Sequence, residues 1–186
     1  MEGITVKLFK GLLVAGIAIA LLSGCGANKE NASKSTQPPA AETTDAVTTA
    51  SIVNDGDAFV KAVGTEGTWI IAILNDLTID KDVVVAGEFH DKGAADGNIY
   101  RKIALYAQDA DKNITAQYTL TVPKFTVQSE NLRVQGGTIK GDVYVEANGF
   151  NLHETATIEG NLYFASEDVK ASAAIDGKVT GETKVQ

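Results

Sequence analysis

One cysteine, one tryptophan and two histidines in 186 residues narrow the chemistry open to this chain before any pattern is read. A single thiol, Cys25, cannot form an internal disulfide. His90 and His153 lie far apart, and neither is flanked by Cys or a second His, so no zinc-ligand spacing exists. There is no P-loop, no dinucleotide-binding glycine fingerprint and no G-x-S-x-G nucleophile elbow. The longest apolar run, residues 11–22, falls short of the roughly 20 residues that a membrane-spanning helix needs. Basic residues are outnumbered, with 16 Lys and Arg against 24 Asp and Glu, a formal net charge of -8. That balance argues against a nucleic-acid partner and against electrostatic docking on anionic lipid. No motif implies a cofactor.

The first residues carry the three zones of an export signal: Lys7 and Lys10, the apolar run, then small Ser23 and Gly24. Leu22-Ser23-Gly24-Cys25 resembles the lipobox of bacterial lipoproteins, in which the cysteine receives a diacylglyceryl group and signal peptidase II cuts ahead of it. The resemblance implies cleavage between Gly24 and Cys25, lipidation of Cys25, and an extracytoplasmic protein held by its lipid on a bacterial membrane. Each buried acyl methylene adds about 0.8 kcal/mol of membrane affinity, so firm anchoring takes more than one chain. The two or three chains of mature lipoproteins meet that need.

Three segments follow from this reading: a signal peptide over 1–24, a lipidated and flexible tether over 25–50, and one domain over 51–186. The tether is rich in Ser, Thr, Asn, Ala and Gln, contains Pro38-Pro39 and has no apolar period, so it cannot bury enough surface to offset its ordering entropy. Without the signal the chain holds 14 Lys and Arg against 23 Asp and Glu.

Within the domain, one helix is expected between Ser51 and Gly67, capped by Asn54 with Asp57 in a capping-box-like position. Phe59, Val60 and Val63 share its apolar face, and Gly64 ends it. Beyond Trp69 the pattern changes to short β-branched runs: 70–74, Leu77 with Ile79, 83–85, Ile103 with Leu105, 118–122, and Phe125 with Val127. The spacings leave no room for crossover helices, which excludes a doubly wound α/β sheet.

The C-terminal third repeats. Ile139-Lys140-Gly141-Asp142-Val143, Ile158-Glu159-Gly160-Asn161-Leu162 and Ile175-Asp176-Gly177-Lys178-Val179 share the form Ile-x-Gly-x-(Val/Leu), with Leu132, Leu152 and Val169 as a second apolar mark ahead of each. Periods near 20 residues belong to architectures in which each turn buries its inner face only against its neighbours. The expected fold is therefore all-β: a parallel β-solenoid of about six or seven coils of roughly 20 residues each, with the short helix capping its first coil. An antiparallel sandwich also uses short strands but has no reason to repeat at near-constant spacing.

Two families resemble parts of this pattern. The capping helix followed by Trp69-Ile70-Ile71-Ala72-Ile73-Leu74-Asn75-Asp76-Leu77-Thr78-Ile79 looks like the start of right-handed β-helices of the pectate-lyase-like type, a resemblance that implies a right-handed solenoid. Residues 132–181 are similar to the bactofilins, polymer-forming β-helical proteins whose coils carry an Ile-x-Gly-x-(Val/Ile) mark. The second resemblance implies self-association, whereas bactofilins typically lack a cleaved signal.

Residues 88–113 interrupt the coils with a charged excursion, the candidate functional loop, carrying Tyr100, Arg101 and Tyr106 as candidate ligand residues. Asp109-Ala110-Asp111-Lys112-Asn113 begins like a calcium loop, yet the later Gly and Glu positions hold Ile114 and Leu120, so a solvated acidic turn is the preferred reading. Trp69 sits in a strand-like run and is expected in the core. Tyr144 and Tyr163 occupy equivalent places and either pack at a corner or form an exposed ladder. β-Helical polysaccharide lyases need a basic residue beside a carboxylate cluster, and with Arg101 and Arg133 as the only arginines catalysis has no support. The function expected is a membrane-anchored surface lipoprotein with a structural, adhesive or assembly role, and the alternative is an envelope module that binds or modifies carbohydrate. Its partners would be the membrane, a second copy or a polysaccharide.

Overall fold

The computed structural model describes residues 50–186, so Gly24, Cys25, the signal segment and nearly all of the tether lie outside the described residues. The described chain opens with β1 (Ser51–Ile52) and α1 (Gly56–Val63). A first pass follows as β2 (Ile70–Ala72), β3 (Leu77–Thr78) and β4 (Val83–Val85). The second comprises β5 (Arg101–Ala104), a hairpin of β6 (Tyr106–Gln108) and β7 (Ile114–Gln117), and the long β8 (Thr119–Val127). The third is β9 (Leu132–Gln135) and β10 (Thr138–Val145), and the fourth is β11 (Asn151–Leu152), β12 (Thr157–Glu159) and β13 (Leu162–Phe164). After α2 (Glu167–Ser172) the fifth runs through β14 (Ala174–Ile175), β15 (Lys178–Val179) and β16 (Thr183–Val185).

These strands form two parallel sheets, one ordered β1-β2-β5-β9-β11-β14 and the other built of β3, β4, β8, β10, β12, β13, β15 and β16. Each pass contributes to both sheets. The described residues are mostly β with few helices and the two sheets are parallel, which removes the antiparallel sandwich; the β6–β7 hairpin is the antiparallel strand pair among the described residues. No helix among them is long and apolar enough to cross a membrane.

Register explains the core. Ile71, Ile103, Val134, Leu152 and Ile175 align across the first sheet. Leu77, Leu120, Ile139, Ile158 and Val179 align across the second, as do Val85, Val127, Val145, Phe164 and Val185. Strand side chains alternate between faces, so one residue in two points inward and like residues stack on like. The inward ones merge with Phe59 and Val63 of α1 into one apolar cluster.

Several expectations need correction. The helix is shorter than 51–67, because Ser51 and Ile52 pair with Ile71 and Ala72 as a strand. Asp55, not Asn54, is its cap: Asp55 is extended and its carboxylate accepts the Ala58 N–H at 2.8 Å, while Asp57 pairs with Lys81 instead. A second helix was not anticipated; Ser166 caps α2 by accepting the Val169 N–H, and Val169 sits on that helix rather than on a strand. Five passes are present among the described residues, fewer than six or seven.

The third repeat is also out of phase. Ile175 lies beside Leu152 in the first sheet, and the partner of Ile158 is Val179. The structural repeat therefore continues as Val179-Thr180-Gly181, with the Gly181 N–H donating to the Gly160 carbonyl at 2.9 Å. Gly141, Gly160 and Gly181 stack so closely that a Cβ on Gly160 would collide with the Gly141 carbonyl, and one on Gly181 with that of Gly160.

The 88–113 excursion is not one loop. β5 runs through its middle as a central strand of the first sheet, leaving a loop before it and the β6–β7 hairpin after it.

Candidate functional site

The loop between β4 and β5 folds over the outer side of the first sheet. His90 pins it, with Nδ1 2.8 Å from the Gly97 carbonyl and Nε2 3.2 Å from the Glu88 carboxylate. Both partners accept, so only the doubly protonated ring can donate to both. The Gly97 carbonyl first, and Glu88 with it, accordingly raise the His90 pKa above its ordinary value against the opposing effect of burial. A bridge between His90 and Ile99 closes the loop's base.

Held this way, the loop and the strands beneath it enclose an open groove of about 400 Å³ lined by Trp69, Ile70, Asp91, Asn98, Tyr100 and Lys102, among others. Trp69 and Tyr100 meet at a centroid separation of 6.2 Å and an interplanar angle of 58°. Trp69 is thus half-buried in a groove wall rather than part of the core. Burial is the main cause raising the Tyr100 hydroxyl above its ordinary pKa; the charge of Arg133 opposes it and Asp91 adds to it. Aromatic faces beside a few oriented polar groups are what small-molecule and sugar sites use.

Lys102 stands on the outer face because its neighbours Arg101 and Ile103 point inward. Its Nζ donates to the Tyr106 hydroxyl at 2.8 Å, which places buried Tyr106 beneath the lysine rather than in the groove. Arg133 is the register partner of Lys102, and Asn151 that of Arg133.

Arg101 is placed differently from an exposed ligand residue. It is fully buried, and its guanidinium donates to the carbonyls of Thr68, Ala86, Ala62 and Gly64 and to the Ser129 hydroxyl at 2.6–3.1 Å. The Phe89 ring lies 4.0 Å beneath it. Burial pushes its pKa down to about 10, which leaves it cationic at neutral pH. Two of its acceptors, Ala62 and Gly64, are at the C-terminal end of α1, where a cation also complements the helix dipole. Arg101 therefore fastens the helix and the groove wall from behind.

The Asp109 to Asn113 segment is the turn of the β6–β7 hairpin. The Asp109 carboxylate accepts from the N–H groups of Asn113 and Asp111 and from the Asn113 side chain at 2.9–3.1 Å. Those bonds, the Asn113 N–H first, hold its pKa below the usual carboxylate value. A carboxylate engaged by its own turn is a structural element. Among the described residues no three His, Cys, Asp or Glu side chains converge as a metal site.

Tyr144 and Tyr163 form an outward ladder on the second sheet, register partners with ring centroids 4.7 Å apart. Lys124 covers Tyr144 at 4.2 Å and Lys184 covers Tyr163 at 5.4 Å.

Comparison of the chain with protein-family models, with curated proteins and with solved structures finds no match.

Of the three candidate ligand residues only Tyr100 lines this groove, and Trp69 and Lys102 line it without having been singled out by the sequence for that place. Alternation was the available signal: Arg101, Ile103 and Leu105 share the inward phase, which assigns Lys102 to the outside.

Proposed function

We propose that this is a lipid-anchored surface protein of a bacterial membrane, cleaved after Gly24 and lipidated on Cys25, whose domain is a closed right-handed β-solenoid with an adhesive role. The groove beside Trp69 and Tyr100 would bind envelope carbohydrate, without catalysis. The observation that carries this reading is the pairing of two tilted aromatic rings with Lys102, Asp91 and Asn98 on an outer sheet face. Sugars present apolar ring faces ringed by hydroxyls, and such a mixed wall complements both.

Assembly by edge-to-edge stacking is the weaker form of the proposal. The α1 helix packs on β2 and β4 of the first pass, whereas β14, β15 and β16 end their sheets. Those last strands have two or three residues and carry Lys178 and Lys184, and short strands with lysines are how free edges are blunted.

The test is native electrophoresis of the full chain, purified in detergent, through gels containing soluble polysaccharides. Retardation in at least one gel, lost in Tyr100→Ala, is expected. Equal mobility in every gel, with particle size in light scattering growing as concentration rises, would replace adhesion by assembly. Lipidation is checked separately: the mature chain should carry the mass of two or three acyl chains, and Cys25→Ser should retain the unprocessed mass.

A further inference from the structure

Arg133 stands out in an acidic protein. No hydrogen bond or ion pair joins its guanidinium to a described residue, and its Nε is buried without a partner. Its register partner Asn151 likewise has a buried Oδ1 with no partner. On its other side stands Lys102, whose ammonium spends one of three donors on Tyr106. His153 lies close enough to both cations to feel them: burial first, then Arg133 and, more weakly, Lys102 hold its pKa below the ordinary value, against the opposing effects of Glu154, which exceeds that of Lys102, and of Asp176. Its Nδ1 contacts the Thr155 hydroxyl at 2.8 Å. Two adjacent cations with unspent donors, beside a groove and unmatched by a paired acid, form a surface that lacks its anion. A buried donor left without a partner, as Arg133 Nε is, costs free energy that a bound oxyanion returns, whereas Asn151 Oδ1 is an acceptor and gains nothing from an anion.

We propose that Arg133 and Lys102 form an oxyanion subsite next to the aromatic groove, which takes the carboxylate or phosphate of an acidic glycan whose ring lies against Trp69 and Tyr100. The guanidinium edge matches either anion through two parallel hydrogen bonds, and the lysine adds a point charge. Asp91, which also lines the groove, accepts sugar hydroxyls. This inference rests on the carbohydrate reading of the groove.

Two probes separate the subsite from the groove. His153 reports the first through its imidazole NMR titration, read against His90→Gln to assign the signal, and Trp69 fluorescence reports the second. Inorganic phosphate, glucuronate and uncharged glucose oligomers are titrated into the full chain in detergent. Phosphate and glucuronate should each move the His153 midpoint upward, since an added anion favours the protonated ring. Arg133→Gln should weaken both effects by about tenfold or more, with an unchanged circular dichroism spectrum. Only the sugars should alter Trp69 emission. An unmoved His153, or equal movement in Arg133→Gln, overturns the subsite. A Trp69 response to glucose oligomers alongside an unmoved His153 leaves the groove standing without it. A His153 response to phosphate with Trp69 silent to every sugar keeps the oxyanion subsite and removes the glycan from it.

Discussion

The first two passes of the chain and the last three use the same parallel sheets, yet they differ in what they add to them. In residues 132–185 one pass follows the next through short turns, with α2 as the largest addition. In residues 70–127 a loop and a hairpin are inserted; the loop brings the pinned His90 and part of the groove, and the buried Arg101 stands on the strand β5 between the two insertions. Regular stacking stabilises by repetition, since each aliphatic side chain rests on one like it above and below. The inserted half has no such repetition at its outer layer and is held by particular polar contacts. The lesson is that the regularly stacked parallel half supplies a frame, and the irregular half gives up local regularity to form a groove.

The sharpest way to break this contrast is Ile158→Asp. It places an unpaired charge at a fully buried position of the regular half, with an expected cost of about 4 kcal/mol or more. Because one apolar cluster runs through both halves, Trp69 fluorescence and far-UV circular dichroism should melt together at a lowered temperature. Loss of circular dichroism while Trp69 stays buried would show that the halves unfold independently.

Arg101→Met strikes the inserted half. It removes the partner of four carbonyls and a hydroxyl, and about 3 kcal/mol of destabilisation is expected in urea unfolding. A change below about 0.5 kcal/mol would mean that water satisfies those carbonyls equally well.

Tyr163→Ala removes one rung of the outward ladder and one cation–aromatic contact, for an expected loss of about 1 kcal/mol. An unchanged melting temperature would show that the ladder adds nothing to the stability of the fold.

The smallest effect is one of pH, and its sign differs between the halves. The folded pKa of His90 lies above its ordinary value, so its contribution is complete below about pH 6.5 and is lost as pH rises through the raised value. His153 is shifted downward, so its contribution is present above that pH and is lost as pH falls through the lowered value. NMR titration should find the two imidazoles on opposite sides of the free value. Amide exchange in residues 88–99 should quicken as the solution becomes more alkaline, beyond the intrinsic rise in exchange rate.

How legible all this was follows from the same contrast. Leu120, Ile139 and Ile158 announce themselves because aligned inward positions carry similar side chains, with Ile139 and Ile158 19 residues apart. The pattern then misled by its own success: 175–179 has the right residue types, but backbone pairing assigns Gly177 to the corner between the sheets and Gly181 to the stacked column. Glycine spacing, more than isoleucine spacing, marks the true phase, because backbones approach there and no side chain fits. In the inserted half, Arg101 resembled a ligand residue since a lone arginine in a charged stretch is usually solvated. Its five acceptors are mostly backbone carbonyls from distant segments, which leave no trace in residue type.

Those acceptors also set a timetable. They are drawn from Ala62, Gly64, Thr68, Ala86 and Ser129, so the guanidinium cannot be satisfied until the chain as far as residue 129 has been delivered. Before then, α1 has no secure seat and Arg101 must stay in water. A chain emerging N-terminus first therefore cannot complete its folding in the order in which it appears: the opening helix is committed only after the second circuit arrives, and closure of the first end is a late event.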